Sequence, residues 1–128
     1  KRRSPAIWAG SLRWHPKARS RAASWTRTHS GADFEGSEGE DVLSVGNGVV
    51  TRVLVDSMWG YVIEIDHGDF TARYIGLSQE DAVSINDEVK PGEKIGVLTS
   101  IPAEREDGIH LHFEVLKDGK EINPLAAL

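Results

Sequence analysis

The sequence predicts an all-β fold of sandwich-like or barrel-like form, built on antiparallel pairing. Three observations carry that prediction. From Asp41 onward, short apolar runs alternate with Gly, Asn, Asp and Pro clusters at intervals of eight to twelve residues, the spacing of short strands joined by turns. Within the runs, apolar and polar residues alternate with the period of two that a strand imposes. No stretch of ten or more residues carries a helical period.

The runs are taken in order. Asp41 to Val45 reads as a short strand, and Gly46-Asn47-Gly48 as a tight turn, since Gly and Asn accept positive φ. Val49 to Val55 follows, with Val49, Val53 and Val55 expected on one face. Asp56 to Gly60 is a loop. Tyr61 to Asp66 is a strand that places Tyr61, Ile63 and Ile65 on one side and Glu64 and Asp66 on the other. His67-Gly68-Asp69 turns the chain and Phe70 to Tyr74 returns. Val83 to Val89 reads as a polar hairpin-like segment, Lys90-Pro91-Gly92 as a turn, and Glu93 to Leu98 as a strand. Ile101 to Gly108 is a charged loop before the strand Ile109 to Leu116; a turn at 117–120 leads to a closing edge, Glu121 to Pro124.

The 128 residues suffice for one domain with a real core and not for two. No run approaches the length of a membrane-spanning helix. The absence of cysteine excludes disulfides and a thiolate zinc site. The chain opens on Lys1, so a processed or excised piece is expected, with any signal or membrane anchor in an upstream segment. The net charge of −5 conceals a split: residues 1–34 hold eight Lys/Arg against Asp33 alone, and residues 35–128 hold seven against nineteen acids. Residues 1–28 read as a basic lead-in whose tryptophans, Trp8, Trp14 and Trp25, pin it to the domain. It lacks the interleaved aromatic pattern of a single-strand binder, and no nucleic-acid partner is expected.

Two short segments carry the chemistry. In Ile109-His110-Leu111-His112-Phe113-Glu114-Val115 the strand period puts His110, His112 and Glu114 on one face and Leu111, Phe113 and Val115 on the other. Two imidazoles side by side suit a metal ion; they equally suit a solvated sheet face. His29-Ser30-Gly31-Ala32-Asp33 adds an imidazole and a carboxylate. Together the segments hold the three protein ligands of a catalytic zinc site and one histidine to spare.

The ordered set of His29-x-x-x-Asp33, Gly60-Tyr61-Val62-Ile63-Glu64-Ile65-Asp66-His67-Gly68, Tyr74-Ile75-Gly76-Leu77, Val89-Lys90-Pro91-Gly92-Glu93-Lys94-Ile95-Gly96, His110-Leu111-His112-Phe113-Glu114 and Asn123-Pro124 resembles the lysostaphin-type (LytM-like) peptidoglycan endopeptidases over residues 29–128. The resemblance implies an antiparallel sheet or β-sandwich with a groove. It implies a zinc ion (Zn2+) held by His29, Asp33 and His112, with His110 as general base. Zinc brings the pKa of its water toward ~7 and polarises a carbonyl, and an imidazole titrating near neutrality takes the proton. Loops at 56–59, 77–82 and 100–108 would wall the groove, with Trp59 and Tyr74 as candidate substrate contacts. Glu114 is expected to support a ligand or to be a surface charge.

The chain departs from the family at Gly76, where the family has the histidine of a Tyr-x-His-Leu motif. Loss of one such donor costs about 10²–10³ in rate, so zinc binding is expected to survive and turnover to suffer. The same loss, and a charged insertion like Ser100 to Gly108, resembles a sporulation-channel subgroup of membrane-anchored docking proteins. Two functions follow: a zinc endopeptidase acting on peptidoglycan peptide cross-links, or a catalytically impaired docking domain that binds a channel partner protein. Either is expected outside the cytoplasm. A biotinyl- or lipoyl-carrier reading of Val89 to Gly96 is disfavoured, because Lys90 and Lys94 lack the Met-Lys-Met or acidic setting of a modified lysine. His67 and His15 are expected to be structural and loop residues.

Overall fold

The computed structural model describes residues 13–15 and 32–124. In chain order the strands are β1 (Arg13–His15), β2 (Ala32–Glu35), β3 (Asp41–Leu43), β4 (Gly48–Asp56), β5 (Gly60–Asp66), β6 (Thr71–Leu77), β7 (Glu88–Val89), β8 (Lys94–Val97), β9 (His110–Lys117) and β10 (Lys120–Ile122). A 3₁₀ segment, Pro102–Asp107, precedes β9. The main sheet runs β1-β2-β9-β6-β5-β4-β7, and β10 also pairs with β9; β3 and β8 form a separate two-stranded sheet. All pairings among the described strands are antiparallel, and the fold is the all-β one that the alternating pattern predicts.

One face of the main sheet makes the core. Ile63, Ile65, Tyr74, Leu111, Phe113 and Val115 are fully buried there, and the small sheet covers them with Val42 and Ile95. Phe34 and Tyr74 meet Phe113 edge-on, with ring centroids 6.3 and 5.2 Å away. Removing each of these large side chains from water stabilises the fold by roughly 1.5–3 kcal/mol before entropy is charged.

Two bulges change what simple alternation implies. In β4, Val50 faces Ile65 while Arg52 faces Glu64, so Thr51 is the extra residue. The phase slips there. Val50 enters the core and Val53 packs against it, whereas Val49 is 39% and Val55 72% exposed. The bulge therefore parts Val49 from Val53 and Val55, which stay in phase with each other beyond Thr51. In β6, Ile75 faces Val62 and Leu77 faces Tyr61, leaving Gly76 as the extra residue at φ +110°.

Three loops also differ from expectation. The charged loop at 101–108 is organised as a 3₁₀ turn. Of the hairpin expected over Val83 to Val89, only Glu88–Val89 is strand, because its partner is the start of β4. His15 lies in an edge strand, not in a loop: β1 pairs with β2 through Arg13/Glu35, Trp14/Phe34 and His15/Asp33. Trp8, Trp25 and His29 lie outside the described residues. Among the described residues no helix is long and apolar enough to cross a membrane.

Candidate metal centre

The second face of the main sheet carries the polar residues, and around β2 and β9 it too is buried. Antiparallel register places Asp33 opposite His112 and Arg73 opposite Glu114. Directly opposed residues on one face have Cβ atoms about 4.5–5.5 Å apart, so short polar side chains meet. Asp33 Oδ1 is 2.7 Å from His112 Nδ1, and Glu114 Oε2 is 3.1 Å from His112 Nε2. Glu114 Oε1 accepts from Arg73 Nη1 at 3.0 Å, and Arg73 Nε donates to Glu64 Oε2 at 2.8 Å. Asp33, His112 and Glu114 are 0% exposed. The reading of a solvated histidine face is thereby excluded.

His112 stands between two carboxylates. Burial alone lowers an imidazole's pKa, but the hydrogen bonds and charges of Asp33 and Glu114 outweigh it and push the value to about 9. The same carboxylates that favour a proton on His112 favour a metal cation in its place, since both are positive charges held by the same donors.

His110 lies on the same face, one strand pleat away. Its Nδ1 faces the Gly108 carbonyl at 3.0 Å, and its Nε2 is 2.6 Å from Glu104 Oε1 and 3.8 Å from Asp33 Oδ2. The ring is 1% exposed. Burial lowers its pKa, and Glu104, Asp33 and the Gly108 carbonyl together raise it above the ordinary value.

Glu104 reaches His110 because of the way the 3₁₀ segment is seated. Ile101, fully buried, packs with Val62 and Ile75, and Trp59 lies against them. The Thr99 N–H donates to the Gly76 carbonyl at 2.8 Å and the Ala103 N–H to the Met58 carbonyl at 2.7 Å. A Cβ on residue 76 would stand 2.7 Å from the His110 carbonyl oxygen and 3.3 Å from Ile101 Cδ1. A side chain at residue 76 would thus require the His110 backbone and Ile101 to give way.

Asp33 lies 3.8 Å from His110 and 2.7 Å from His112; His29, the other expected ligand, lies outside the described residues. Tyr74 does not join them: it faces the core on the opposite side of the sheet, fully buried, with its hydroxyl on Val45 and His67. Trp59 is half-buried and lines a groove of about 270 Å³ with Leu54, Val55, Val62, Arg73 and Ile75. Sequence reasoning did not single out Arg73 or Glu104 as partners of the histidines. Arg73 needs the β6/β9 register to be found. Glu104 had a signal, a run of charge just before His110, but the fold of that run decides which acid turns inward.

The model of peptidase family M23 matches residues 27–124. The chain belongs to that family. Stage II sporulation protein Q of Bacillus subtilis is 33% identical over 97 residues, 74% of this chain. The peptidoglycan DD-endopeptidase ShyA of Vibrio cholerae is 30% identical over 121 residues, 94% of this chain. The chain spans 34% and 27% of the lengths of these two proteins. Among solved structures, a chain of the SpoIIIAH and SpoIIQ complex is 26% identical, with a TM-score of 0.76, over 98% of this chain and 99% of that one. Within this M23 chain, Gly76 lies beside Ile101 and the His110 carbonyl, and Glu104 meets the His110 ring.

Proposed function

We propose that this M23 domain is a docking module that holds a zinc ion and hydrolyses peptides slowly or not at all. The observation that carries this reading is the state of His110. A general base needs a ring nitrogen open to the water it deprotonates. Here both nitrogens of His110 are engaged within the chain, by Gly108 and Glu104, and the ring is 1% exposed. Gly76 supplies no second imidazole, and the space beside it is filled.

The donor set fits zinc. Asp33 and His112 present an oxygen and a nitrogen to each other at 2.7 Å, and the other His112 nitrogen is held by Glu114. A carboxylate on the far nitrogen is the usual partner of a metal-binding histidine, fixing its ring and strengthening it as a donor. His29 would complete the set. When bound, zinc supplies a Lewis acid and a means of lowering the pKa of water. Arg73 holds Glu114, and Glu114 holds the His112 ring in the orientation that presents Nδ1 to Asp33.

The sporulation protein and the two-protein complex among its relatives support a protein partner for this domain, and we infer that it works outside the cytoplasm as part of a membrane-anchored parent. The second reading, a zinc endopeptidase of peptidoglycan peptides, is favoured by the intact Asp33–His112 contact and by the DD-endopeptidase relative. Residues 29–128 would be the working unit in either case. Zinc titration by calorimetry, followed by digestion of muropeptides with His110→Ala as control, separates the two. Zinc uptake without His110-dependent cleavage is the expected result; cleavage that disappears in His110→Ala would overturn the docking reading.

A further inference from the structure

β4 is an edge strand over most of its length. β7 covers only its start, pairing with Gly48 and Val49, and the turn after Ile85 bonds Val50 through the Asn86 N–H and the Asp87 carbonyl. From Thr51 to Asp56 the side of β4 away from β5 has no partner strand among the described residues. Alternate backbone N–H and C=O groups point out along that side and form a template for one more strand. The bulge at Thr51 comes before this stretch, so residues 52–56 run in regular alternation.

The same edge gathers the exposed apolar surface. Among the described residues the exposed large hydrophobic side chains are Val49, Leu54, Val55, Met58 and Ile85. Three lie in β4, Met58 lies in the turn that leaves it, and Ile85 adjoins the Asn86–Val50 bond. Single exposed apolar residues are ordinary, but their concentration along one open strand edge marks a docking surface.

We propose that the occupant of this edge is a second copy of the chain, its β4 laid antiparallel to this one about a two-fold axis at Leu54. Charge complementarity selects both the partner and the register. Arg52, Leu54 and Asp56 share one face of the strand, and Val53 and Val55 share the other. With the axis at Leu54, Arg52 stands opposite Asp56 of the second copy and Asp56 opposite its Arg52. Leu54 then meets its own counterpart, and Val53 meets Val55. Directly opposed residues share a face, so both charge pairs fall on one side of the joined sheet and both valine pairs on the other. An axis at Val53 sets Arg52 against Leu54, an axis at Val55 sets Leu54 against Asp56, and either loses both charge pairs.

The two charged groups are available for this contact. Arg52 is exposed, with Nη1 only 4.0 Å from Glu64 Oε2. Asp56 accepts from the Met58 and Trp59 amides through Oδ1, which leaves Oδ2 for a guanidinium. The contact is self-complementary and closes on itself, so it covers both open edges at once. Leu54, Val55 and Asp56 also line the groove beside Trp59, and the grooves of the two copies therefore meet across the axis. This interface is additional to the docking of a foreign protein and rests on neither the metal nor His110.

Sedimentation velocity of the full chain over a range of concentrations tests it, with circular dichroism as the check on folding. The native chain is expected to pass from monomer to dimer as concentration rises. Arg52→Glu sets two like-charge pairs across the axis, and Asp56→Lys does the same with the opposite sign. Each is expected to weaken association at least about tenfold. Mixed in equal amounts, the two variants are expected to regain it, since each presents to the other the charge it lacks. Val55→Lys, at an exposed position and with the residue that natural edge strands use against pairing, is expected to weaken the dimer without unsettling the fold. It and Arg52→Glu carry the test if loss of the Asp56 turn contacts disturbs Asp56→Lys. A native chain that stays monomeric at every concentration would overturn the proposal and leave the edge to a strand of another protein. A dimer untouched by Arg52→Glu and Val55→Lys would overturn it as well, by placing the contact elsewhere. A mixture of two folded charge variants that fails to associate would overturn the register.

Discussion

Two imidazoles on opposite sides of the main sheet, one fully buried and one half-buried, have opposite chemistry. His112 lies between Asp33 and Glu114 and is pushed up to about 9. His67, in the turn after β5, is lowered by burial, which outweighs the Asn47 and Gly46 carbonyls and the charge of Asp66. Its Nδ1 is 2.8 Å from the Asn47 carbonyl and so carries the hydrogen; its Nε2 then accepts from the Tyr74 hydroxyl at 3.1 Å, which itself accepts from the Val45 N–H at 3.2 Å. Burial is common to both rings. What differs is the company: two carboxylates bonded directly to His112, against a carbonyl and a hydroxyl bonded to His67 with Asp66 acting only through its charge. A buried histidine becomes a cation site only where the register brings acids to it.

The sharpest way to break this contrast is to remove an acid. Glu114→Ala leaves His112 and Arg73 short of a buried partner, and an expected loss of about 3 kcal/mol is measured by urea denaturation of metal-free protein. An unchanged midpoint would mean that Glu114 contributes no net stability. Next comes Gly76→Ala. Its Cβ would press on the His110 carbonyl at a backbone angle that L-residues avoid, and a cost of roughly 2 kcal/mol is expected. The ring signals of His110 should shift in the NMR spectrum as the 3₁₀ segment is displaced.

On the neutral side the effects are smaller. Tyr74→Phe strips the hydroxyl from the Val45 amide and from His67, and a loss of about 1–2 kcal/mol is expected in thermal or urea unfolding. Smallest is the acid response of His67. Its folded pKa lies below the unfolded value of 6.5, so the unfolded chain binds more protons as pH falls through 6.5. Stability contributed by the neutral ring is present above that pH and is lost on acidification toward the folded pKa. Unfolding midpoints of the native chain and His67→Gln, compared between pH 7.5 and 5, should converge at the acid end; parallel curves would show that His67 is not responsible.

Much of the fold was legible in the chain. The alternation Leu111-Phe113-Val115 against His110-His112-Glu114 names both faces of β9 correctly, because period-two geometry is local. The same reasoning failed at β4, where a bulge at Thr51 slips the phase and no local signal announces it. Tyr74 read as a substrate contact and proved to be core, since only the pairing with Phe113 tells which face of β6 it takes.

By itself the sequence determined the strand succession, the apolar face of the sheet, and the side chains that share the other face of β9, because these depend on alternation carried by single residues. Tertiary structure alone decided that the polar face is buried, that Arg73 backs Glu114, and that Glu104 rather than its exposed neighbour Glu106 meets His110. Those contacts join residues distant in the chain or set by the seating of one turn, and their distances follow from strand register and from the space left at Gly76.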